Sequence, residues 1–409
     1  ITIAGSWAKT ISSIFIATRR DFRDVAPSRC STDMRGRWVA QVIGLVLCLP
    51  LLNGCSVGFL WHVTVGQVKL LMSRQPVQAV LQDPHLSEQD ERKIRLILDA
   101  KAFAIEHLGL HNSKSYTTFV RLDRPYVSYN VTAAPKDALR PYTWRFPIVG
   151  RVPYKGYFCK EYALREQHKL EAEGYDTYVR GVRAYSMLGY FDDPILSSML
   201  HARDFSLINT TIHEMVHQTV WIKGNASFNE SLASFIGEKG THAYLAWRYG
   251  DDSSQVQLYQ NMRADAAVFA EYLEALIEHL EVLYRQPMPR QEKLRRRAQI
   301  FAEAKTAYAN VFPRMKTPYY KRFFEYHPLN NAVLLSFRRY HRDTSYFEQV
   351  LAAHGGDLRR MIAFFKTVRA DQLPATFRKQ EASVRRENAA VVSRQQADTG
   401  RLPWRISER

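Results

Sequence analysis

An α+β fold is predicted, with helices at both ends and one small mixed sheet between them. Three observations predict it. Residues 88–108, and most of the chain from Ser206 to about Ala370, repeat apolar side chains at helical spacing. Between these blocks, four runs rich in aromatic and β-branched residues are bounded by Pro and Gly, as strands are. The order is helices, then strands, then helices, which does not match the regular βαβ alternation of a doubly wound sheet.

Taken in order, Gln67–Leu81 reads as a first helix and Glu88–Leu108 as a second. The second has Ile94, Leu96, Ile97, Ala100, Phe103 and Ala104 along one face. The strand runs are Thr117–Leu122, Tyr126–Thr132, Tyr142–Val149 and Tyr175–Arg183, with a charged helix, Lys160–Glu173, before the last. A further run, Ala184–Phe191, ends in Asp192-Asp193-Pro194. Helical character resumes at Ser206, and a second helix opens at Ser227 and runs to about Gly240. A long amphipathic helix spans Ser254–Tyr284, followed by Gln291–Val311, Ser345–His354 and Asp357–Ala370. Residues 371–409 are polar and basic and read as a tail, and there is no internal repeat.

The composition narrows the class. With 409 residues and 46% hydrophobic side chains the chain can bury a substantial core, and four cysteines exclude a disulfide framework. The net charge of +17 is unevenly placed: residues 281–409 hold 26 Lys+Arg against 12 Asp+Glu, which is +14 of it. No nucleic-acid-binding motif accompanies that charge, so no nucleic-acid partner is expected; a solvated basic face near an anionic lipid surface suits it better.

The N-terminal text has its own signal. Met34-Arg35-Gly36-Arg37 precedes a largely apolar run from Val39 to Leu52, too short for an ordinary membrane span, and Leu52-Asn53-Gly54-Cys55 follows. This resembles a bacterial lipobox. Residues 34–54 are thus read as a signal peptide, Cys55 as the lipidated residue and residues 1–33 as an upstream extension. The expected location is the bacterial envelope, facing the periplasm, with Ser56 after the cysteine favouring the outer membrane. Residues 55–370 form the expected domain, with a sheet-bearing part at about 110–200, a helix pair at 206–240 and a helical part at 250–370.

The sharpest chemical pattern is His213-Glu214-Met-Val-His217. Two histidines four residues apart on a helix project from one face and can aim two imidazole nitrogens at one metal ion. Glu214 is displaced enough to reach a water on that ion instead. This is the H-E-x-x-H zincin pattern, in which the carboxylate is the general base and the cofactor is Zn2+. A third ligand is needed, and Glu230, 13 residues after His217 with a turn between, can supply it. Ser227-x-x-Glu230 is also a capping box, the competing explanation of that glutamate, and Glu238 is the reserve ligand. Tyr185 and Tyr190 are candidate donors to a tetrahedral oxyanion. Asp192 and Asp193 are candidates to hold a substrate α-ammonium, although Asp-Asp-Pro is also a routine turn. Asn330-Asn331 reads as a cleft loop or a helix cap.

Asn229-Glu230-Ser231-Leu232-Ala233 resembles the Asn-Glu-x-x-Ala element of gluzincin peptidases. More widely, Cys55 to about Ala370 resembles the bacterial predicted-aminopeptidase family of exported zincin-like lipoproteins. Arg124-Pro-Tyr-Val-Ser-Tyr-Asn-Val, Trp144-Arg-Phe-Pro-Ile-Val-Gly, Tyr154-Lys-Gly-Tyr-Phe158, Ala184 to Pro194, the His213 helix and Pro328-Leu-Asn-Asn-Ala332 carry the likeness. The resemblance implies a zincin-like fold and a peptidase acting on peptide substrates, an aminopeptidase before an endopeptidase. It also implies His213, His217 and Glu230 as zinc ligands. Arg145 and Arg151 stand where the family has cysteines, so a disulfide or thiol feature near that strand is absent. The alternative is a zincin-like lipoprotein that acts without catalysis, as a binding or structural module of the envelope.

Overall fold

The computed structural model describes residues 55–146, 150–184, 192–338 and 344–377. Residues 1–54, where the upstream extension and signal peptide are expected, Tyr185 and Tyr190, and residues 378–409 of the expected tail lie outside the described residues. Among those described, the elements run α1 (Cys55–Met72), β1 (Gln75–Pro76), α2 (Val77–Leu81), α3 (Glu88–Glu106), β2 (Thr118–Val120), β3 (Ser128–Pro135), β4 (Trp144–Phe146), β5 (Gly150–Val152), β6 (Lys155–Tyr157) and α4 (Lys160–Ala172). They continue with β7 (Tyr175–Val182), β8 (Ile195–Leu196), α5 (Ser197–Leu200), α6 (Asp204–Thr219), α7 (Ala226–Tyr249), α8 (Ser254–Arg285) and α9 (Arg290–Val311). Last come α10 (Phe323–Tyr326), α11 (Asn331–Arg338), α12 (Ser345–Ala353) and α13 (Leu358–Phe365). The class is α+β, as predicted.

The β structure is more divided than predicted. In place of one mixed sheet there are two three-stranded sheets, β1-β2-β8 and β6-β3-β7, and a β4–β5 hairpin. Only the β2–β8 pair is parallel among the described strands; β3 pairs antiparallel with β7 along its full length, from Ser128↔Val182 to Pro135↔Tyr175. Several strands are two or three residues long, too short to show an alternation in sequence. Arg145 faces Arg151 across the hairpin, both exposed. The helix expected over Gln67–Leu81 is interrupted, because Pro76 lacks an amide proton and biases Gln75 to extended backbone. The preceding helix instead begins upstream, at Cys55.

Three apolar cores result. The first gathers α2, β2, β8, α3, α6 and α7, and includes Phe347, Phe365 and Leu373. Leu373 is fully buried and Phe377 packs edge-on to Phe228, so the segment read as the start of the tail is anchored to this core. The second lies between β3–β6 and α4, with Phe59 of α1 reaching it. The third joins α8, α9 and α11.

A buried polar joint ties the third core to the sheet. Arg297 of α9 pairs with Asp176 of β7, whose Oδ2 also accepts the Asn331 amide at 2.9 Å. Asn330 Oδ1 accepts the Val333 amide at 2.9 Å, and Asn330 Nδ2 donates to the Thr177 carbonyl at 3.0 Å. The Asn330-Asn331 pair is therefore a helix cap that also stitches α11 to the strand. Removing one member of a buried ion pair strands the other charge. Asp176→Ala should lower stability by about 3–5 kcal/mol, read as a shifted urea midpoint. Asp176→Ala combined with Arg297→Leu should recover most of that loss, and a double variant as unstable as the single would count against this joint.

Candidate metal centre

Helix α6 carries His213, Glu214 and His217, and its burial is dictated by its sequence. Leu207, Ile208, Ile212, Met215 and Val216 all sit in the first core. Asp204, in its first turn, forms ion pairs at 2.6 Å with Arg92 and Lys93 of α3, where a negative charge also suits the helix N-terminus. The helix ends at Thr219, earlier than its pattern suggests. Val220 is already extended (φ −130°, ψ 115°), and Gly224 at φ +80° makes the reversal into α7.

Helix α7 then runs back across α6. A Cβ placed on Gly237 would come within 3.2 Å of the Asn209 carbonyl oxygen and 3.3 Å of the His213 Cβ. One on Gly240 would meet Leu108 at 3.0 Å and Ile212 at 3.2 Å. The two glycines thus let α7 lie close enough for Glu230, in its first turns, to reach the histidines. The capping-box alternative for Glu230 does not hold: the N-cap is Asn225, with no side-chain cap hydrogen bond. Glu238, two turns on, pairs with Arg263 of α8 instead of joining the histidines.

The donor geometry is tight. His213 Nε2 and His217 Nε2 are 3.1 Å apart, and Glu230 Oε2 and Oε1 lie 3.7 and 3.6 Å from them respectively. Two Zn–N bonds of ~2.0–2.1 Å at a tetrahedral angle would put the nitrogens roughly 3.3–3.4 Å apart, so the spacing suits one shared cation. Among the described residues this is the group whose donors converge in this way, all within 4.8 Å of one another. Glu230 Oε1, Glu214 Oε2 and His217 Nδ1 are buried with no hydrogen-bond partner. A buried carboxylate oxygen left unpaired is costly, and a cation at these donors would satisfy that of Glu230. The His217 side chain is closed off, whereas those of His213 and Glu230 are 13% and 21% exposed, so the group opens to solvent on that side.

The electrostatics follow from burial and from crowding of charge. Burial raises the Glu214 carboxyl to about 7; nearby Asp193 and Glu230 push the same way, against the opposing field of His213. Burial and then the neighbouring His213 lower His217 to about 4. For Glu230, burial alone would raise the value, but the bond to His213 and the fields of both histidines bring it down to about 2. Burial opposes protonation of His213 too, yet its bond to Glu230 and the fields of Glu214 and Glu230 leave it raised.

The sequence pattern did not point to a polar web behind the histidines. Gln218 donates to Ser115 Oγ at 2.7 Å and to Asp193 Oδ2 at 3.1 Å, and Ser113 Oγ donates to its Oε1 at 2.5 Å. The Asp193 amide donates to Ser115 Oγ at 2.8 Å, and its carbonyl accepts from the Tyr116 amide at 2.6 Å. Tyr116 is buried and holds φ +65°, a left-handed conformation that side chains rarely adopt. Asp193 is thus buried and engaged by the metal helix. Asp192 is half-buried, with its carbonyl accepting from Arg74 at 2.6 Å. On the other flank, Asn229 clamps Ile222: its Oδ1 accepts the Ile222 amide and its Nδ2 donates to the Ile222 carbonyl, both at 2.9 Å. Trp221, between the helices, stands edge-on to His217 with ring centroids 5.7 Å apart. None of these has a spacing signature, because each contact joins segments far apart in the chain or a single side chain to backbone.

No curated protein matches this chain, and no solved structure does. A family model described as "Putative aminopeptidase" matches residues 58–381, well over half of the chain and all of the residues just described. The chain belongs to this aminopeptidase family.

Proposed function

We propose that this protein is a zinc-dependent peptidase of gluzincin type, an aminopeptidase before an endopeptidase, carried on a lipid-anchored envelope protein. One observation carries the reading: the His213, His217 and Glu230 donors converge beside a buried carboxyl, Glu214, that none of them uses as a ligand. Structure alone gives no reason to bury Glu214 without a partner. Zn2+, when bound, supplies Lewis acidity, lowering the pKa of water toward neutrality and polarising a carbonyl.

The chain's own groups do the rest. Glu214, raised to about 7 in the metal-free protein, exchanges a proton in the range where a general base is most useful, and a cation beside it favours its ionised form. It takes a proton from the water that attacks the scissile carbonyl and delivers it to the leaving amine. His217, held at a low pKa, stays neutral and keeps its Nε2 lone pair for the metal. For an α-ammonium we keep Asp192 as the candidate, because the Asp193 carboxylate is already bonded to Gln218. An oxyanion donor at Tyr185 or Tyr190 and a lipid on Cys55 complete the proposal.

Four measurements test it. Elemental analysis of the chain from Ser56 onward should give one zinc per molecule. Glu230→Ala should weaken zinc binding by more than the roughly 10–100-fold typical of second-shell losses, while Glu238→Ala leaves it unchanged. In a peptide-library assay, Glu214→Gln should keep its zinc and lose about 10²–10⁴-fold in rate. Zinc at stoichiometry with no peptide cleaved by the unmodified protein would instead favour the non-catalytic envelope module. N-terminal blocking of a substrate should abolish cleavage if the enzyme is an aminopeptidase.

The Glu214 pKa also sets a pH dependence in the chelated protein. Its folded value, about 7, is above the ordinary 4.5, so its contribution favours the fold below about pH 4.5 and is lost as pH rises through 7. Above that the ionised carboxylate costs roughly 3 kcal/mol. Metal-free Glu214→Gln should therefore unfold later than metal-free wild type at pH 8 and nearly with it at pH 4.5. The depressed His217 and Glu230 act in the opposite direction, on acidification, but are common to both proteins. Equal thermal midpoints at pH 8 would show that Glu214 is not strained by its burial.

A further inference from the structure

The geometry points to Trp221 as the wall of an apolar substrate subsite, so that the preferred peptides place a large apolar or aromatic side chain beside the scissile bond. This rests on the peptidase reading and goes beyond it by naming the substrate class. Trp221 is 41% exposed and is the second residue past the end of a buried helix, ahead of an exposed turn at Lys223-Gly224. Its neighbours are turned inward: Val220 is 4% and Ile222 6% exposed. Extended backbone at Val220 accounts for this alternation, since successive side chains of an extended segment point to opposite sides.

The exposure is not that of a loose loop. Asn229, itself 1% exposed, holds both backbone polar groups of Ile222, so the segment carrying Trp221 is fixed to the start of α7. Glu230 is the next residue. One short stretch of α7 therefore positions both the third ligand and the indole. The ring it touches among the described residues is that of His217, at an interplanar angle of 73°. A large apolar surface held rigidly against a ligand histidine, and left open to water, is preorganised to take up an apolar group arriving at the metal centre.

The test compares wild type, Trp221→Ala and Trp221→Phe, each zinc-loaded, with metal content and thermal midpoint recorded. Paired peptides differ only in Phe or Asp beside the scissile bond. Wild type should favour Phe, Trp221→Ala should lose about tenfold or more of the kcat/KM ratio, in line with one apolar contact, and Trp221→Phe should keep most of it. If both peptides slow equally and zinc is lost, Trp221 only braces His217 and the subsite is refuted. A second arm needs no catalysis: ligand-observed NMR titration of phenylalaninamide against glycinamide, both with a free α-amine. Preference for the former in wild type, lost in Trp221→Ala, supports the subsite even if no peptide is cleaved. No preference in wild type, or an unchanged one in Trp221→Ala, overturns the subsite and leaves the peptidase reading to its own tests.

Discussion

The close approach of α7 to α6 is the constraint on which the site depends. A pair of histidines one turn apart is made by a single helix, but the third donor has to come from outside it. Gly237 and Gly240 remove the Cβ atoms that would hold the helices apart, since the next atoms, on α6 and on Leu108 just past α3, are only 3.0–3.3 Å from where those Cβ atoms would be. The glycines lie two to three turns beyond Glu230, so they act as a lever: packing at that end sets the position of the glutamate at the other. Glycine within a helix costs roughly 0.5–1 kcal/mol relative to alanine. Here that cost is exchanged for a helix spacing that alanine would widen.

The connection between the helices adds a second restraint. Ending α6 at Thr219 and restarting at Ala226 leaves six residues to reverse the chain. Gly224 takes the left-handed turn, and Asn229 reaches back to both polar groups of Ile222. The asparagine therefore does work that a backbone pairing would do in a hairpin. It also explains in physical terms why Asn precedes Glu230: one residue holds the loop, the next faces the metal position. On the opposite side, Gln218 fastens the Ser113–Tyr116 segment and Asp193 to the same helix. The metal helix is thus held on both flanks by side chains adjacent to its ligands.

Much of this was legible in the sequence, for reasons that differ by element. The long helices α3, α8 and α9 fall within a few residues of their predicted bounds, because their apolar faces persist over several turns. His213, Glu214 and His217 are legible because their geometry is set by one helix. Glu230 required a turn to be inferred, and the same four residues also fit a capping box; the structure decides between them through the true N-cap, Asn225. Glu238 had a comparable helical phase but lies too far along α7, where Arg263 holds it. The short strands β1, β5, β6 and β8 were not legible, since two or three residues carry no periodicity. α11 was likewise missed, being eight residues in a segment dominated by loop signals, although its cap pair Asn330-Asn331 stood out. Trp221 and Asn229 were written within the quoted motifs, but exposure and a clamp on backbone are properties of the folded chain.

The charge inside the site explains why so buried a group of acids is compatible with folding at all. Asp193, Glu214 and Glu230 act on one another within the apolar core, and the histidine pair offsets them incompletely, since His217 resists protonation beside His213. Glu230 is stabilised by the imidazoles, whereas Glu214 is pushed toward neutrality by its burial first and by the repulsion of Asp193 and Glu230 second. A divalent cation at the donors would pair the Glu230 oxygen and relieve this repulsion, so that binding energy becomes folding energy. It would also favour the ionised form of Glu214, the form a general base needs. The burial that makes these groups costly on their own is therefore also what would make a cation at the donors favourable. The net positive charge of the C-terminal third plays no part in this balance: apart from the buried Arg297–Asp176 joint, which lies at β7, it includes exposed pairs such as those of Arg295 and Arg296 with Glu292. The chemistry lies in the electrically crowded interior between α6 and α7, and the basic surface is a separate property of the fold's exterior.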